Sequence, residues 1–387
     1  LKAVKKTAFF LFCVATVDPK GAFFSFFFSP WICHPNFSFK CNICYTKHVY
    51  YAMNTFGHFF RLTLSGESHG KGILLTLDGV PAGLEIDSID FATQLLRRRK
   101  ADTGTTPRQE SDHFDFLTGV YRGYSTGAPL SIFIPNEDAR SADYEPFLDT
   151  PRPGHADFVS QVKYFSHADS RGGGIFSGRL TVALVIAGTI ARTLLARNEV
   201  IICAEIDEVG GKKEWYSLLQ EAIREGDSLG GTIVCTVTGA TIGLGEPFFN
   251  SLESLLSHAL FSIPGVRAVE FGNGFAGCSM RGSAFNDRLA TPDGSTCTNH
   301  CGGIVGGLSN GNPIYFRVGF RPTASIAQAQ EALDLKTGET RKLQIQGRHD
   351  ACFVLRCPVI VESVAALVLY DLLLARMSEI SAHTTFF

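Results

Sequence analysis

The run Ser177-Gly-Arg-Leu-Thr-Val-Ala-Leu-Val-Ile-Ala-Gly-Thr-Ile-Ala-Arg-Thr-Leu-Leu195 carries apolar residues on every side of a helix. Val182, Ala183, Val185, Ile186, Ile190 and Leu194 leave no polar face, so this helix belongs between layers and not on a surface. Residues 359–375 form a second run of the same kind. Around these two, residues 61–64, 73–77, 130–135, 230–238, 267–271 and 313–320 read as short strands, and 252–261 as a further helix. Buried helices alternating with strand pairs predict an α+β sandwich, not a doubly wound parallel sheet.

A chain of 387 residues can bury a large core as one big domain or two. With 45% hydrophobic and 19% charged residues, most of it is globular rather than disordered. A net charge of −2 supplies no basic field, which argues against bulk binding to nucleic acid or a membrane surface. The 39 glycines gather in polar loops without a period, as suits close backbone approach to a ligand. The 11 cysteines are odd in number and irregularly spaced, so they read as reduced thiols of a cytoplasmic protein.

Residues 1–52 differ from the rest. They hold ten of the 32 phenylalanines and one acidic residue, Asp18. Lys5 and Lys6 precede an apolar run that is too short to span a membrane and ends at Asp18-Pro19. Cys33-His34, Cys41-x-x-Cys44 and His48 are metal-ligand residue types, yet nothing in their spacing shows convergence or a supporting shell, and no metal is expected. The segment reads as sequence upstream of a start at Met53, or as a plastid transit peptide, which would change the destination. The expected division is an N-terminal extension over 1–52, a catalytic domain over 53–376 and a C-terminal tail over 377–387.

The polar loops carry the chemistry. Gly66-Glu67-Ser68-His69-Gly70 joins two strands, and glycine at both ends allows a sharp turn that aims His69 into a site. Asp87-Ser88 offers a cap for a helix that runs into Arg97-Arg98-Arg99-Lys100. That cationic end is either a solvated terminus or the start of an anion site. Pro151-Arg152-Pro153-Gly154-His155-Ala156-Asp157 is a stiff loop entering a helix. Arg171-Gly172-Gly173-Gly174 lacks the Gly-Lys-Ser/Thr of a nucleotide-binding loop but precedes a helix start, an arrangement that favours anions. Later come Asn299–Gly303, Arg321-Pro322-Thr323-Ala324-Ser325 and Gly347-Arg348-His349-Asp350. Asp350 reads as a cap, a plain ion pair, or a carboxylate that relays a proton in an arginine-rich site. Together the loops describe one site for a small polyanion bearing phosphate and carboxylates, with His and Asp moving protons.

In this order the motifs resemble those of chorismate synthase, over residues 54–374. The resemblance rests on Asn54–Gly57, Gly66–Gly70 with Asp78–Pro81, Arg97–Arg99, Arg152–Asp157 and Arg171–Gly174. It continues through Glu225–Ser228, Gly243–Pro247, Asn299–Gly303 and Gly347–Asp350 with Glu362. It implies a β-α-β sandwich with central helices between antiparallel sheets, assembled as a homotetramer. It also implies binding of reduced FMN, with NADPH or a separate reductase as the electron source. The implied reaction is the anti-1,4-elimination of phosphate from 5-enolpyruvylshikimate 3-phosphate to give chorismate, without net redox change. By the same resemblance His69 assists the leaving phosphate, His155 keeps the flavin in its working protonation state, and Asp350 relays a proton at the flavin. Arg98, Ser177, Arg179 and Arg348 match substrate contacts. Ser177, Pro264, Gly265, Gly306, Arg321, Pro322, Thr323, Ala324, Ser325 and Arg348 match cofactor contacts.

The chain departs from the family pattern near the cofactor. Where the family continues Arg-Ser-Ser-Ala-Arg-Glu-Thr, this chain has Ile175-Phe176-Ser177-Gly178-Arg179-Leu180-Thr181. After Arg99 the usual Pro-Gly-Thr-Ser-Arg is Lys100-Ala101-Asp102-Thr103-Gly104, which removes a further arginine, and Ala351 stands for proline. Loss of one guanidinium contact to a phosphate costs about 1.5–3 kcal/mol, roughly ten- to a hundred-fold in affinity. Two readings follow: an active enzyme with weakened binding, or an inactive homologue that keeps the fold as a scaffold.

Overall fold

The computed structural model describes residues 54–99, 103–105, 110–138, 147–345 and 350–386. The extension over 1–52, its cysteine–histidine cluster, Met53 and Arg348 lie outside the described residues.

The first sheet holds β1 (Thr55–Phe56), β2 (Arg61–Gly66), β3 (Gly72–Asp78) and β4 (Asp115–Thr118). A small hairpin, β5 (Val120–Tyr121) with β6 (Tyr124–Ser125), leads to β7 (Leu130–Pro135), and the sheet order is β1-β2-β3-β7-β4. The second sheet has β8 (Ile201–Val209), β9 (Gly231–Thr238), β10 (Val266–Phe271) and, after the hairpin β11–β12 (Ile304–Val305, Leu308–Ser309), β13 (Ile314–Phe320). Its order is β10-β13-β9-β8, and every pairing in both sheets is antiparallel. A last hairpin, β14–β15 (Gln330–Leu333, Thr340–Leu343), stands apart from both sheets. Alternation is clear in β13, where Ile314, Phe316, Val318 and Phe320 are buried and the residues between them are less so.

The helices are α1 (Phe91–Arg99), α2 (Asp157–Lys163), α3 (Thr181–Ala196), α4 (Tyr216–Glu225) and α5 (Leu252–Leu260), the single turns α6 (Gly274–Gly277) and α7 (Gly282–Phe285), and α8 (Pro358–Phe386). As the all-round apolar pattern predicts, α3 is buried and packs on α8, touching β3 of one sheet and β8 of the other. By length and composition both helices could cross a membrane, but most of each is covered by the protein itself. Gly188 marks their crossing: a Cβ there would stand 2.6 Å from Ser363 O and closer still to Ser363 Cα and Cβ. Residues 377–386, read as a tail, continue α8, and 377–385 are exposed. The α1 cap also differs from expectation. Asp90 Oδ1 accepts from Thr93 N at 2.9 Å, while Ser88 Oγ donates to Glu85 O.

Two carboxylates of α8 tie the layers together. Asp371 accepts backbone N–H bonds from His58, Phe59 and Phe60 at 3.0, 2.6 and 2.8 Å, fixing the chain that leads into β2. Glu362 is gripped by Arg97 of α1 at 2.6 and 2.8 Å and by Arg192 of α3 at 2.8 Å, and accepts from Ala204 N of β8 at 2.9 Å. Arg97 is thereby a structural residue, which settles part of the ambiguity in the arginine run. Its neighbour Arg98 faces elsewhere.

Candidate active site

The β2–β3 turn is built to hold one imidazole. Asn136, just beyond β7, donates from Nδ2 to Glu67 O at 2.9 Å and Gly70 O at 3.1 Å, clamping both ends of the turn. Ser68 N donates to Gly174 O at 3.2 Å, and Ser68 Oγ to Arg171 O at 3.4 Å. The turn is therefore docked on the Arg171–Gly174 run. His69 is buried there against Gly172, where a Cβ would stand 2.6 Å from His69 Nε2 and 2.7 Å from Ser68 Oγ. With φ +69° as well, Gly172 has no tolerable replacement.

His155 reaches the same run from the other side. Its Nε2 lies 3.6 Å from where a Cβ would stand on Gly173. Behind it, Nδ1 sits 2.6 Å from Asp157 Oδ1. Asp157 also accepts from Arg152 through Nε at 2.8 Å, Nη2 at 2.8 Å and the backbone N–H at 3.0 Å. Burial pushes the Asp157 carboxyl up, but the Arg152 and His155 bonds and charges outweigh it and hold the group well below the usual carboxylate range. The two histidines thus abut adjacent glycines.

Arg98 and Arg179 form a corner that is a candidate anion site, joined to the β2–β3 turn through Asn136. The fully buried Asp112 accepts from Arg98 Nη2 at 2.6 Å and from Arg179 Nη1, with Arg99 Nε 3.8 Å distant. Arg179 also donates through Nε to Asn136 Oδ1 at 3.1 Å and through Nη2 to Pro135 O at 3.1 Å, and lies 3.8 Å from Glu110. Burial raises the Asp112 carboxyl, and the Arg98 and Arg179 charges and bonds more than reverse it. Each nitrogen of the Arg179 guanidinium has a partner, whereas Arg98 Nε and Arg99 Nε are buried with no hydrogen-bond partner among the described residues. Buried donors without partners are where an incoming anion is held. Ser177 caps the short turn that carries Arg179, accepting from Arg179 N at 3.2 Å.

The loop 321–325 closes the His155 side. Arg321 Nη1 donates to Gly154 O at 2.7 Å, Arg321 N to Gly265 O at 2.9 Å, and Ser325 Oγ accepts from Arg152 at 3.2 Å. Ala324 stands 3.8 Å from where a Gly154 side chain would begin. Thr323 O accepts from Ser228 at 2.8 Å, but Thr323 Oγ1 is buried with no hydrogen-bond partner among the described residues. Pro264, Gly265, Arg321, Pro322, Thr323, Ala324 and Ser325 are thus gathered in one place. Gly306 lies at the β11–β12 turn, where a Cβ would meet nothing within 4 Å and the next residue abuts Ser251 and Glu246. Asp350 is paired with Arg356 at 2.9 Å, and Phe353 three residues on packs over Gly178 beside Arg179. Ile175 and Phe176 are 37% and 39% exposed in the turn after the three glycines.

Sequence reasoning overlooked Asp112, Glu110 and Asn136. A carboxylate pair spaced Glu-x-Asp a dozen residues beyond an arginine run is a signal only once the loop is seen to fold back. Comparison with known proteins identifies the family. The family model described as chorismate synthase matches residues 60–374. A chorismate synthase of Chitinophaga pinensis is 47% identical over 322 residues, 83% of this chain and 97% of that one. One from Aeropyrum pernix is 41% identical over 354 residues, covering 84% and 93%. A chorismate synthase crystal structure shares the fold with a TM-score of 0.64 at 22% identity, over 83% of this chain and 93% of its own. The chain belongs to the chorismate synthase family.

Proposed function

We propose that this protein is a carbon–oxygen lyase that converts 5-enolpyruvylshikimate 3-phosphate to chorismate, closing the shikimate pathway, with reduced FMN as cofactor. The observation that carries the reading is the pair His69 and His155 on adjacent glycines, joined through Asn136 to the Arg98–Arg179 corner. In the reaction a C–O bond to phosphate and a C–H bond break, and a new double bond forms in the ring. Arg98 and Arg99, with unspent buried donors, hold the anionic substrate. His69 gives a proton to the departing phosphate, which lowers the charge that must leave. Packing of the β2–β3 turn against the glycine run excludes water from that step.

The flavin fits the 321–325 loop. Thr323 Oγ1 has no hydrogen-bond partner among the described residues, Gly265 leaves its backbone open to close approach, and Arg321 and Ser325 flank the space. Arg321, Thr323 and Ser325 would hold reduced FMN, which would supply electron density to the ring and an acceptor for its hydrogen, with no net redox change. His155 holds a proton-accepting nitrogen beside this loop. The proposal extends to a homotetramer with NADPH as one source of flavin electrons, which the family resemblance implies, and to the cytoplasmic location read from the cysteine usage. Mixing protein, reduced FMN and substrate under anaerobic conditions tests it. Phosphate and chorismate should appear in equal amounts; a folded, flavin-binding protein that releases neither would overturn it.

A further inference from the structure

We propose that Asp157, itself locked by Arg152, is a positioning residue that fixes the tautomer of His155. The inference rests on the reading of His155 as the proton-handling group beside the cofactor loop. Two groups face His155 Nδ1: Asp157 Oδ1 at 2.6 Å and Arg152 Nη2 at 3.1 Å. Neutral imidazole carries one N–H. Placed on Nε2, it would leave an Nδ1 lone pair pressed against a carboxylate oxygen at 2.6 Å. Placed on Nδ1, it donates to that oxygen at 2.6 Å, a shorter and charge-assisted contact than the 3.1 Å one it forgoes with Arg152 Nη2. The Nδ1–H form wins, and Nε2 keeps its lone pair toward Gly173 and the side on which His69 stands.

Arg152 makes the arrangement rigid. Its Nε and backbone N–H both bind Asp157 Oδ2, and Nη1 is fixed by Ser325 at 3.2 Å. It also neutralises the carboxylate, so that Asp157 orients the ring without taking its proton. The other charged group at this loop, Arg321, is directed to Gly154 O. In Asp157→Asn the amide must choose its orientation. An NH2 in the Oδ2 position would face two Arg152 donors; in the Oδ1 position it faces one, together with His155. The second orientation is preferred, and it turns Nδ1 into an acceptor, moving the imidazole proton to Nε2.

Nitrogen NMR of the whole protein labelled at histidine reads this directly, with the His155 signals identified by their absence in His155→Gln. The parent protein should show a protonated Nδ1 and a bare Nε2, and Asp157→Asn the reverse. An Nε2–H form in the parent overturns the proposal, even where the variant fails to fold, and an unchanged tautomer in a folded Asp157→Asn overturns it as well. In turnover, Asp157→Asn should lower kcat by roughly 10²–10³-fold, the range of a lost acid–base contribution. KM for the substrate should stay within about threefold, because the arginine corner is untouched. Should the parent release no phosphate, the proposed reaction fails, while the tautomer measurement still decides the role of Asp157.

Discussion

Asn136 Oδ1 accepts from Arg179 Nε at 3.1 Å while the same amide's Nδ2 clamps both ends of the turn that bears His69. One side chain therefore sets the distance between the anion corner and the imidazole. Asn136→Ala should release both at once, lowering kcat/KM by about a hundred-fold, as misplacement by an ångström does. Asn136→Asp retains the acceptor for Arg179 but sets carboxylate oxygens against Glu67 O and Gly70 O. It should impair kcat more than KM, and steady-state kinetics of the two variants separates these effects.

Asp112 and Asp157 should make the protein acid-sensitive. Both carboxyls are held below their ordinary value in the folded state, so each binds its proton less readily there than in the unfolded chain. The stability they contribute is complete above the unfolded carboxylate pKa, about 4, and is lost as pH falls through the lower folded values. Denaturant midpoints measured from pH 6 downward should fall steeply below about pH 4, and less steeply in Asp112→Asn. At neutral pH that variant should lose about 3–5 kcal/mol, because it leaves Arg98 and Arg179 buried without their counter-charge. An unchanged acid limb would show that Asp112 does not carry the effect.

Much of this architecture was legible because burial leaves a periodic trace. An all-round apolar helix such as α3 has no alternative to a sandwiched position, and β7 and β13 alternate as half-buried strands must. The site was legible only where side chains come from short, stiff, glycine-bounded loops, as for His69 and His155. Phase along α1 was not: Arg97 and Arg98 are neighbours in sequence, yet one serves the core ion cluster and the other the anion corner. Nor was Asp112 visible, since its partners come from an earlier helix and a turn far downstream. The cap moved from Asp87-Ser88 to Asp90 because Ser88 spends its hydroxyl on Glu85 O.

The crossing of α3 and α8 leaves no room for a side chain at Gly188. Alanine would gain about 1 kcal/mol in helix propensity, but its methyl meets Ser363 backbone as well as side chain, and overpacking costs about 1–3 kcal/mol. Gly188→Ala should be destabilised on balance, and Gly188→Val more so, both read as a fall in Tm. Ser363→Gly should restore part of the loss and not all, since Ser363 Cα and O remain in the way.

Ile175 and Phe176 occupy positions where the family carries arginine and serine, and they present half-exposed apolar surface beside the glycine run. Ile175→Arg with Phe176→Ser should tighten FMN by about ten- to a hundred-fold, the value of one charged phosphate contact. Riboflavin, which lacks the phosphate, should gain little. Fluorescence titration with both flavins checks the contrast, and equal gains for the two would rule out a phosphate contact.

Two glycines with nearly the same backbone angle separate strain from contact. Gly172 and Gly211 have φ of +69° and +72°, but only Gly172 faces a wall, made by His69 and Ser68; a Cβ on Gly211 would meet nothing within 4 Å. Alanine at either site pays the left-handed conformation, about 1–2 kcal/mol. Gly211→Ala should therefore lose that much stability and keep its kcat. Gly172→Ala should lose a similar amount and, in addition, push the His69 ring off the glycine run, reducing kcat by about a hundred-fold or more. Equal kcat values in the two variants, at matched stability, would mean that the close seat of His69 on Gly172 has no part in catalysis.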